Sequence, residues 1–342
     1  MNEQVPDDDV ARLYEILTGR CRTQAVSAAA QLGVADALAA GPLSCAELAD
    51  QLNCDADRLE RLLLYLVSLD ICTRDEITDT FNVTRLGQKL SSEALGPLAS
   101  YLGSPEQWDP WARLADSLRL GAKDAFSETH GRDLYSYLSE NAPAAIRFDN
   151  AIESFTRHQA AALTETLDLS GVSRLVDLGG GRGTILSALL KRWQALSGIL
   201  VDLPEVLART AKQIPDEIAD RMDLIAGDFH KSIPQGADAY LLSHVLHNWD
   251  DQHATELLTR CAQAAVSNGY VFVLENLLLP GHLSHNGRHF DIEMMVITGG
   301  RERSKRAMRQ LFNRAGLKLE RTLAVTQSSW LLVGRPKSET PD

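Results

Sequence analysis

From Gly171 to Pro336, continuous apolar runs take turns with amphipathic stretches, and this alternation restricts the fold more than any other feature of the 342-residue chain. SRLVDLGGG and ADAYLLSHVL read as strands running into loops, and SGILVDLP, MDLIAGDF and GYVFVLENLLL as strands; TILSALLKRW, EVLARTAKQI, DDQHATELLTRCAQAAV and SKRAMRQLFNRAG have helical spacing. Strands apolar on both faces must be covered on both faces, and strands joined through helices run parallel. The last two runs, LKLERTLAVTQ and SSWLLVGRP, lie close enough in the chain to pair antiparallel at the sheet edge. The expectation is an α/β domain over 171–342: a parallel sheet with an antiparallel C-terminal hairpin.

Ligands of such sheets bind beyond the C-terminal ends of the strands. The first strand runs into DLGGGRGT, with Asp177 followed by Gly179, Gly180, Gly181 and Gly183. Four glycines in five positions let the backbone approach a ligand closely and take up positive φ without steric cost. The GxGxxG dinucleotide pattern is missing, because its sixth position is Thr184 or Leu186, and no P-loop Gly-Lys-Ser/Thr is present. DxGxGxG spacing suits adenosine and amino-acid groups, which bring no phosphate to cradle. The second strand ends at Asp202, beside Leu203, where a carboxylate can accept from both hydroxyls of a ribose. The third ends in Gly227-Asp228-Phe229, an acid for an adenine amine and a ring to pack on the base. Each acid alone could cap a helix; together, at successive strand ends, they describe a nucleoside pocket.

The first hundred residues have a different rhythm. After alanine-rich helical stretches at 10–40, Ser44 precedes Glu47 by three residues, the start of a capping box for AELADQL. Asp55 opens DADRLERLLLYLVSL, with Leu59, Leu62, Leu63, Leu66 and Leu69 on one face, and ICTRDE and TDTFNVT alternate like a hairpin. Two helices and a hairpin make a winged-helix pattern. Segment 36–90 holds ten acids and five bases, a net of −5, which suits dimerisation and substrate cover better than phosphate binding. Residues 101–170 read as a helical linker, with Pro110 near the start of its helix.

LVDLGGGRGT, LVDLPEVL, AGDF, LLSHVLHNWDD, LENLLLPG and TGGRERS occur in an order and spacing that resembles the S-adenosylmethionine-dependent O-methyltransferases of the plant caffeate/isoflavone type and their bacterial natural-product relatives. The resemblance covers nearly the whole chain. It implies a Rossmann-like methyltransferase sheet, a mainly helical winged-helix dimerisation domain at 1–100 and a homodimer. For the donor it implies Asp177, Gly179, Gly181, Asp202, Leu203, Gly227, Asp228, Phe229, Ser243 and Trp249. It makes His247 the general base, flanked by Glu275 and Glu302. The chemistry fits, because an imidazole with pKa near ~6.5 can take the proton of a phenol with pKa ~10 as the methyl transfers. Three positions depart from the commoner pattern: Ser243 replaces a basic residue, Asn248 an aspartate, and Arg182 a histidine or threonine.

The histidines of HVLHNWDDQH therefore divide by role: His247 as base, Asp250 or Asp251 as helix cap, and no metal required. His282, His285 and His289 read as a solvated loop. Acceptor contacts are expected from Trp108, Phe148, Asn150, Phe155, Asp291, Met294 and Met295, with methionine adapting to flat rings. The leading expectation is methylation of a phenolic hydroxyl on a small aromatic or polyketide-type natural product. A relative that keeps the donor but decarboxylates or hydroxylates a polycyclic substrate is the alternative. A net charge of −12 argues against nucleic acid or an anionic membrane as partner. Five scattered cysteines without CxxC and an acidic N-terminus without an apolar run suggest a reduced, cytoplasmic setting.

Overall fold

A computed structural model describes residues 8–119, 124–281 and 286–337. The chain forms two compact units, Met1–Trp108 with Pro143–Phe155, and Asp109–Ala142 with Thr156–Asp342. The segment read as a linker is thus shared out between them. Its long helix α1 (Ala142–Thr166) gives residues to both.

In the first unit the capping box forms as expected: the Ser44 side chain accepts from the Glu47 N–H, and Glu47 accepts from the Ser44 N–H at 2.8 Å. Asp55 caps the next helix, Ala56–Ser68, which buries Leu59, Leu63 and Leu66. Strands Cys72–Asp75 and Thr80–Val83 pair antiparallel, and Leu43–Ser44 adds a third short strand beside the latter. Leu48, Leu63, Leu66 and Phe81 sit in one core, so the winged-helix pattern is realised. Pro110 corrects an expectation. It stands one residue before the end of helix Pro105–Trp111, not near its start, and its missing N–H and bulky ring help stop the helix there.

The second unit is built on strands β1 (Arg174–Leu178), β2 (Ser197–Asp202), β3 (Met222–Ala226), β4 (Ala237–Ser243), β5 (Ala265–Leu278), β6 (Leu317–Ala324) and β7 (Ser329–Pro336). Their order in the sheet is β6-β7-β5-β4-β1-β2-β3, with β7 antiparallel to both neighbours and the rest parallel. Alternate residues explain the unbroken apolar runs. Val176, Leu178, Val201, Tyr240 and Leu242 pack with helices α4 (Asp251–Ala264) and α6 (Lys305–Arg314) through Leu257, Leu258, Leu311 and Phe312. Leu175, Leu200, Leu241 and Phe272 face the other way, onto Leu163 of α1, Leu186 and Leu189 of α2 (Thr184–Arg192), and Leu207 of α3 (Pro204–Thr210). From β1 the chain winds outward to β2 and β3, then returns to β4 on the other side of β1. The topological switch point therefore lies between β1 and β4, where such sheets open a crevice. The glycine loop and the HNWDD segment follow those two strands.

Candidate active site

The glycine loop needs its glycines. Gly179, Gly181 and Gly183 have φ of 71°, 58° and 68°, values that side chains with a Cβ rarely adopt. A Cβ on Gly180 would fall 2.4 Å from Asp177 Oδ2, whereas at Gly181 and Gly227 it would meet nothing within 4 Å. The loop thus closes on Asp177 from one side and leaves open space on the other. Asp177 is buried, its Oδ1 lacks a hydrogen-bond partner, and burial with the nearby Asp202 charge raises its pKa to about 7. A buried carboxylate left short of a partner is a place for a cationic ligand group.

Asp202 accepts from the backbone N–H of Gly181 at 2.8 Å and of Leu203 at 2.7 Å, tying the ends of β1 and β2 together. The Phe229 ring reaches the same loop: a Cβ on Gly179 would lie 3.2 Å from it. Rings continue outward from Phe229 to His230 (4.8 Å between centroids) and Trp249 (4.3 Å). Asp228 turns back on its own segment, accepting from the His230 N–H and pairing with Lys231 at 3.2 Å. Ser243 is half-buried in the last position of β4.

After β4 the chain makes a sharp bend at His244 (φ 54°) and one short 3₁₀ turn, Leu246–Asn248. The bend brings His247 Nδ1 to 2.9 Å from Glu302 Oε1 and 3.3 Å from Glu275 Oε2. All three side chains are buried, so the triad expected from the sequence is assembled. Burial alone would lower the His247 pKa, but the two carboxylates outweigh it and raise it to about 9. Burial in turn pushes Glu275 up to about 7, against the pull of His247. His244, 5.4 Å away ring to ring, is driven down to about 3 by burial and by His247. His247 spends Nδ1 on the carboxylates, which leaves Nε2 for a substrate. Among the described residues, His244, His247 and Glu275 form the one group whose ligand atoms converge within 4.8 Å, a set that could hold a metal ion at the expense of the bond to Glu302.

The loop is held from below by Arg303, which the sequence reading passed over. Its guanidinium donates to the carbonyls of Leu246 (2.8 Å) and Trp249 (2.7 Å) and pairs with Asp251 at 2.8 Å. Asp250, not Asp251, caps α4, accepting from the His253 N–H. Gly300 packs so tightly that a Cβ would sit 2.0 Å from the His247 carbonyl. Tyr135 was also missed; burial, then the charges of Asp202, Asp133 and Glu275, raise its pKa.

The expected acceptor residues divide between the units. Trp108, Phe148, Asn150 and Phe155 belong to the first, and Phe148 meets Tyr101 edge-on at 5.7 Å. Asp291, Met294 and Met295 lie on α5 (Asn286–Ile297) in the second. Asp291 has another task, accepting from the Glu302 N–H at 2.9 Å. Nearby, Trp111 donates to the buried Glu293 at 2.7 Å. His282 and His285 lie outside the described residues. His289 is not in a loop but on α5, stacked on Trp111, because the helix begins at Asn286 and tolerates Gly287 in its first turn.

Residues 111–318 match the O-methyltransferase domain family, and residues 14–93 the O-methyltransferase dimerisation domain. The 3-amino-4-hydroxybenzoate 4-O-methyltransferase of Streptomyces cremeus is 36% identical over 93% of this chain and 88% of its own length. The crystal structure of LaPhzM superposes with a TM-score of 0.90 at 31% identity, covering 97% of this chain and all of the other. The neocarzinostatin-biosynthesis O-methyltransferase NcsB1, solved with S-adenosylmethionine and 2-hydroxy-5-methyl naphthoic acid, has a TM-score of 0.76 at 30% identity over 92% of this chain and 96% of its own.

Proposed function

The chain belongs to the O-methyltransferases that carry their own dimerisation domain and is an S-adenosylmethionine-dependent enzyme; from that premise we propose that it methylates a phenolic hydroxyl of a small aromatic or polyketide-type natural product, with His247 as general base. The observation that carries the base assignment is the imidazole held at Nδ1 by two buried carboxylates. S-adenosylmethionine supplies, when bound, an electrophilic sulfonium methyl.

The chain's own residues do the rest. The open side of the glycine loop at Gly181 and Gly227 admits the donor's backbone-hugging parts, Asp202 accepts from its ribose hydroxyls, and Phe229 packs on its base. The unsatisfied Asp177 carboxylate is suited to its ammonium end. Glu302 and Glu275 fix the imidazole and stabilise its cation, while Nε2 removes the hydroxyl proton. An imidazole near 9 comes close to matching a phenol at ~10, which makes proton transfer nearly even. The same shift means that the neutral, reactive imidazole is the minor form at neutral pH, so turnover should climb with pH. Met294 and Met295 would contact the acceptor ring. The chemistry needs no metal, and chelation with EDTA should leave turnover unchanged; loss of activity restored by a divalent ion would overturn that.

The exposed apolar stripe Val10, Leu13, Tyr14 and Leu17 on helix Asp8–Leu17, repeating at helical spacing, supports a homodimer built on the first unit. The function itself is tested by incubating the purified chain with methyl-labelled donor and a panel of hydroxylated aromatic acceptors. One labelled methyl should appear on a phenolic oxygen. Donor binding with an acceptor that changes mass by loss of carbon dioxide or gain of oxygen would favour the decarboxylase or hydroxylase alternative.

A further inference from the structure

Behind the triad runs a continuous chain of buried polar side chains. His244 Nε2 lies 3.0 Å from Gln159 Oε1, Gln159 Nε2 2.6 Å from Ser329 Oγ, Ser329 Oγ 3.1 Å from Asn276 Oδ1, and Asn276 Nδ2 3.3 Å from Glu302 Oε1. Gln159, Ser329 and Asn276 are each no more than 1% exposed. Three elements meet here. Gln159 comes from α1, and the antiparallel register of β5 and β7 sets Asn276 directly opposite Ser329.

The donors all point one way, because the end of the chain is a carboxylate. Glu302 can only accept, so Asn276 must offer it the amide N–H. Its carbonyl is then left for the Ser329 hydroxyl, the Ser329 oxygen for the Gln159 N–H, and the Gln159 carbonyl for an N–H on His244. His244 therefore carries its proton on Nε2 and turns an unprotonated Nδ1 towards Glu275, 3.9 Å away. Both of its nitrogens face protein, which separates it from His247. We infer that Asn276, Ser329 and Gln159 are positioning residues for the methyl transfer, a one-way relay that aims the Glu302 carboxylate at His247 Nδ1 and fixes the neighbouring His244 in its Nε2–H tautomer. Hydrogen bonds in series inside a low-dielectric core polarise one another, and one broken link frees the carboxylate to rotate. The inference rests on His247 being the base.

A double-mutant cycle tests it. Asn276→Asp is nearly isosteric but presents a carboxylate where Glu302 needs a donor. It should lower kcat about tenfold, the scale of a lost hydrogen bond to a charged group, with the KM for the donor within about twofold. In a Glu302→Gln background the introduced amide can donate to the aspartate, and Asn276→Asp should then change kcat less than about twofold. Ser329→Ala, a milder cut in the same chain, should cost about threefold in kcat and nothing further in that background. Equal losses in both backgrounds, or losses confined to KM or to melting temperature, would overturn the relay. Should Glu302→Gln alone leave kcat intact, Glu302 does not position the imidazole and the relay falls; normal kcat in His247→Ala would instead overturn the base assignment on which the relay rests. If Asn276→Asp fails to fold, Ser329→Ala carries the same cycle alone.

Discussion

At the scale of single residues, the site turns on one imidazole whose surroundings pull in opposite directions. Burial favours neutral His247; Glu275 and Glu302 favour its cation, and the carboxylates win. The sign of a perturbation follows. Glu302→Gln removes a charge that raises the imidazole and leaves burial in place, so the acid limb of the kcat/KM profile should move down by about one pH unit or more, while the plateau falls. A limb that stays put would mean that Glu302 does not tune His247. On the donor side, Asp202→Ala strips the acceptor from the ribose hydroxyls and the tether from Gly181, and should cost roughly 1–3 kcal/mol of affinity. Isothermal titration with S-adenosylhomocysteine measures this; unchanged affinity in a folded variant would misplace the nucleoside.

Elements, more than residues, decide what could be read from the chain alone. The capping box at Ser44 and Glu47, the helix cap at Asp55 and the glycine loop were legible because each is a local pattern with a local cause. The triad was legible through resemblance, not spacing: His247, Glu275 and Glu302 are far apart in the chain and meet only when β4, β5 and the segment after α5 converge. Arg303, Asn276, Ser329 and Gln159 left no signal, since their roles depend on strand register and on which carbonyls a bend exposes. Pro110 and His289 were misplaced because helix ends are set by packing as much as by composition. Gly300 shows how closely these elements mesh. Gly300→Ala would drive a Cβ into the backbone of His247 and Asn248, displacing the 3₁₀ turn that carries the base. Turnover should fall by about 100-fold or more, as misplacement by an ångström can cost that much, with donor affinity within a few-fold. Near-normal kcat in this variant would show that the turn has more freedom than its packing implies.

The whole molecule carries a dimerisation domain and an S-adenosylmethionine-dependent O-methyltransferase domain. Light scattering at micromolar concentration should give about twice the 37.5 kDa chain mass, and Leu13→Asp with Leu17→Asp should lower it, since both side chains lie on the uncovered stripe of the first helix. A monomeric parent protein would contradict the homodimer. The role proposed for His247 in the assembled enzyme is to remove the proton as a phenolic oxygen takes the methyl. The most direct measurement is the pH dependence of turnover for the parent enzyme and His247→Ala on one phenolic acceptor. His247→Ala should lower turnover at neutral pH by roughly 10²–10⁴. It should recover part of that loss as pH approaches the phenol's own ~10, where the acceptor arrives already ionised. Normal methylation by His247→Ala at neutral pH, or a defect that does not shrink as pH rises, would contradict the account.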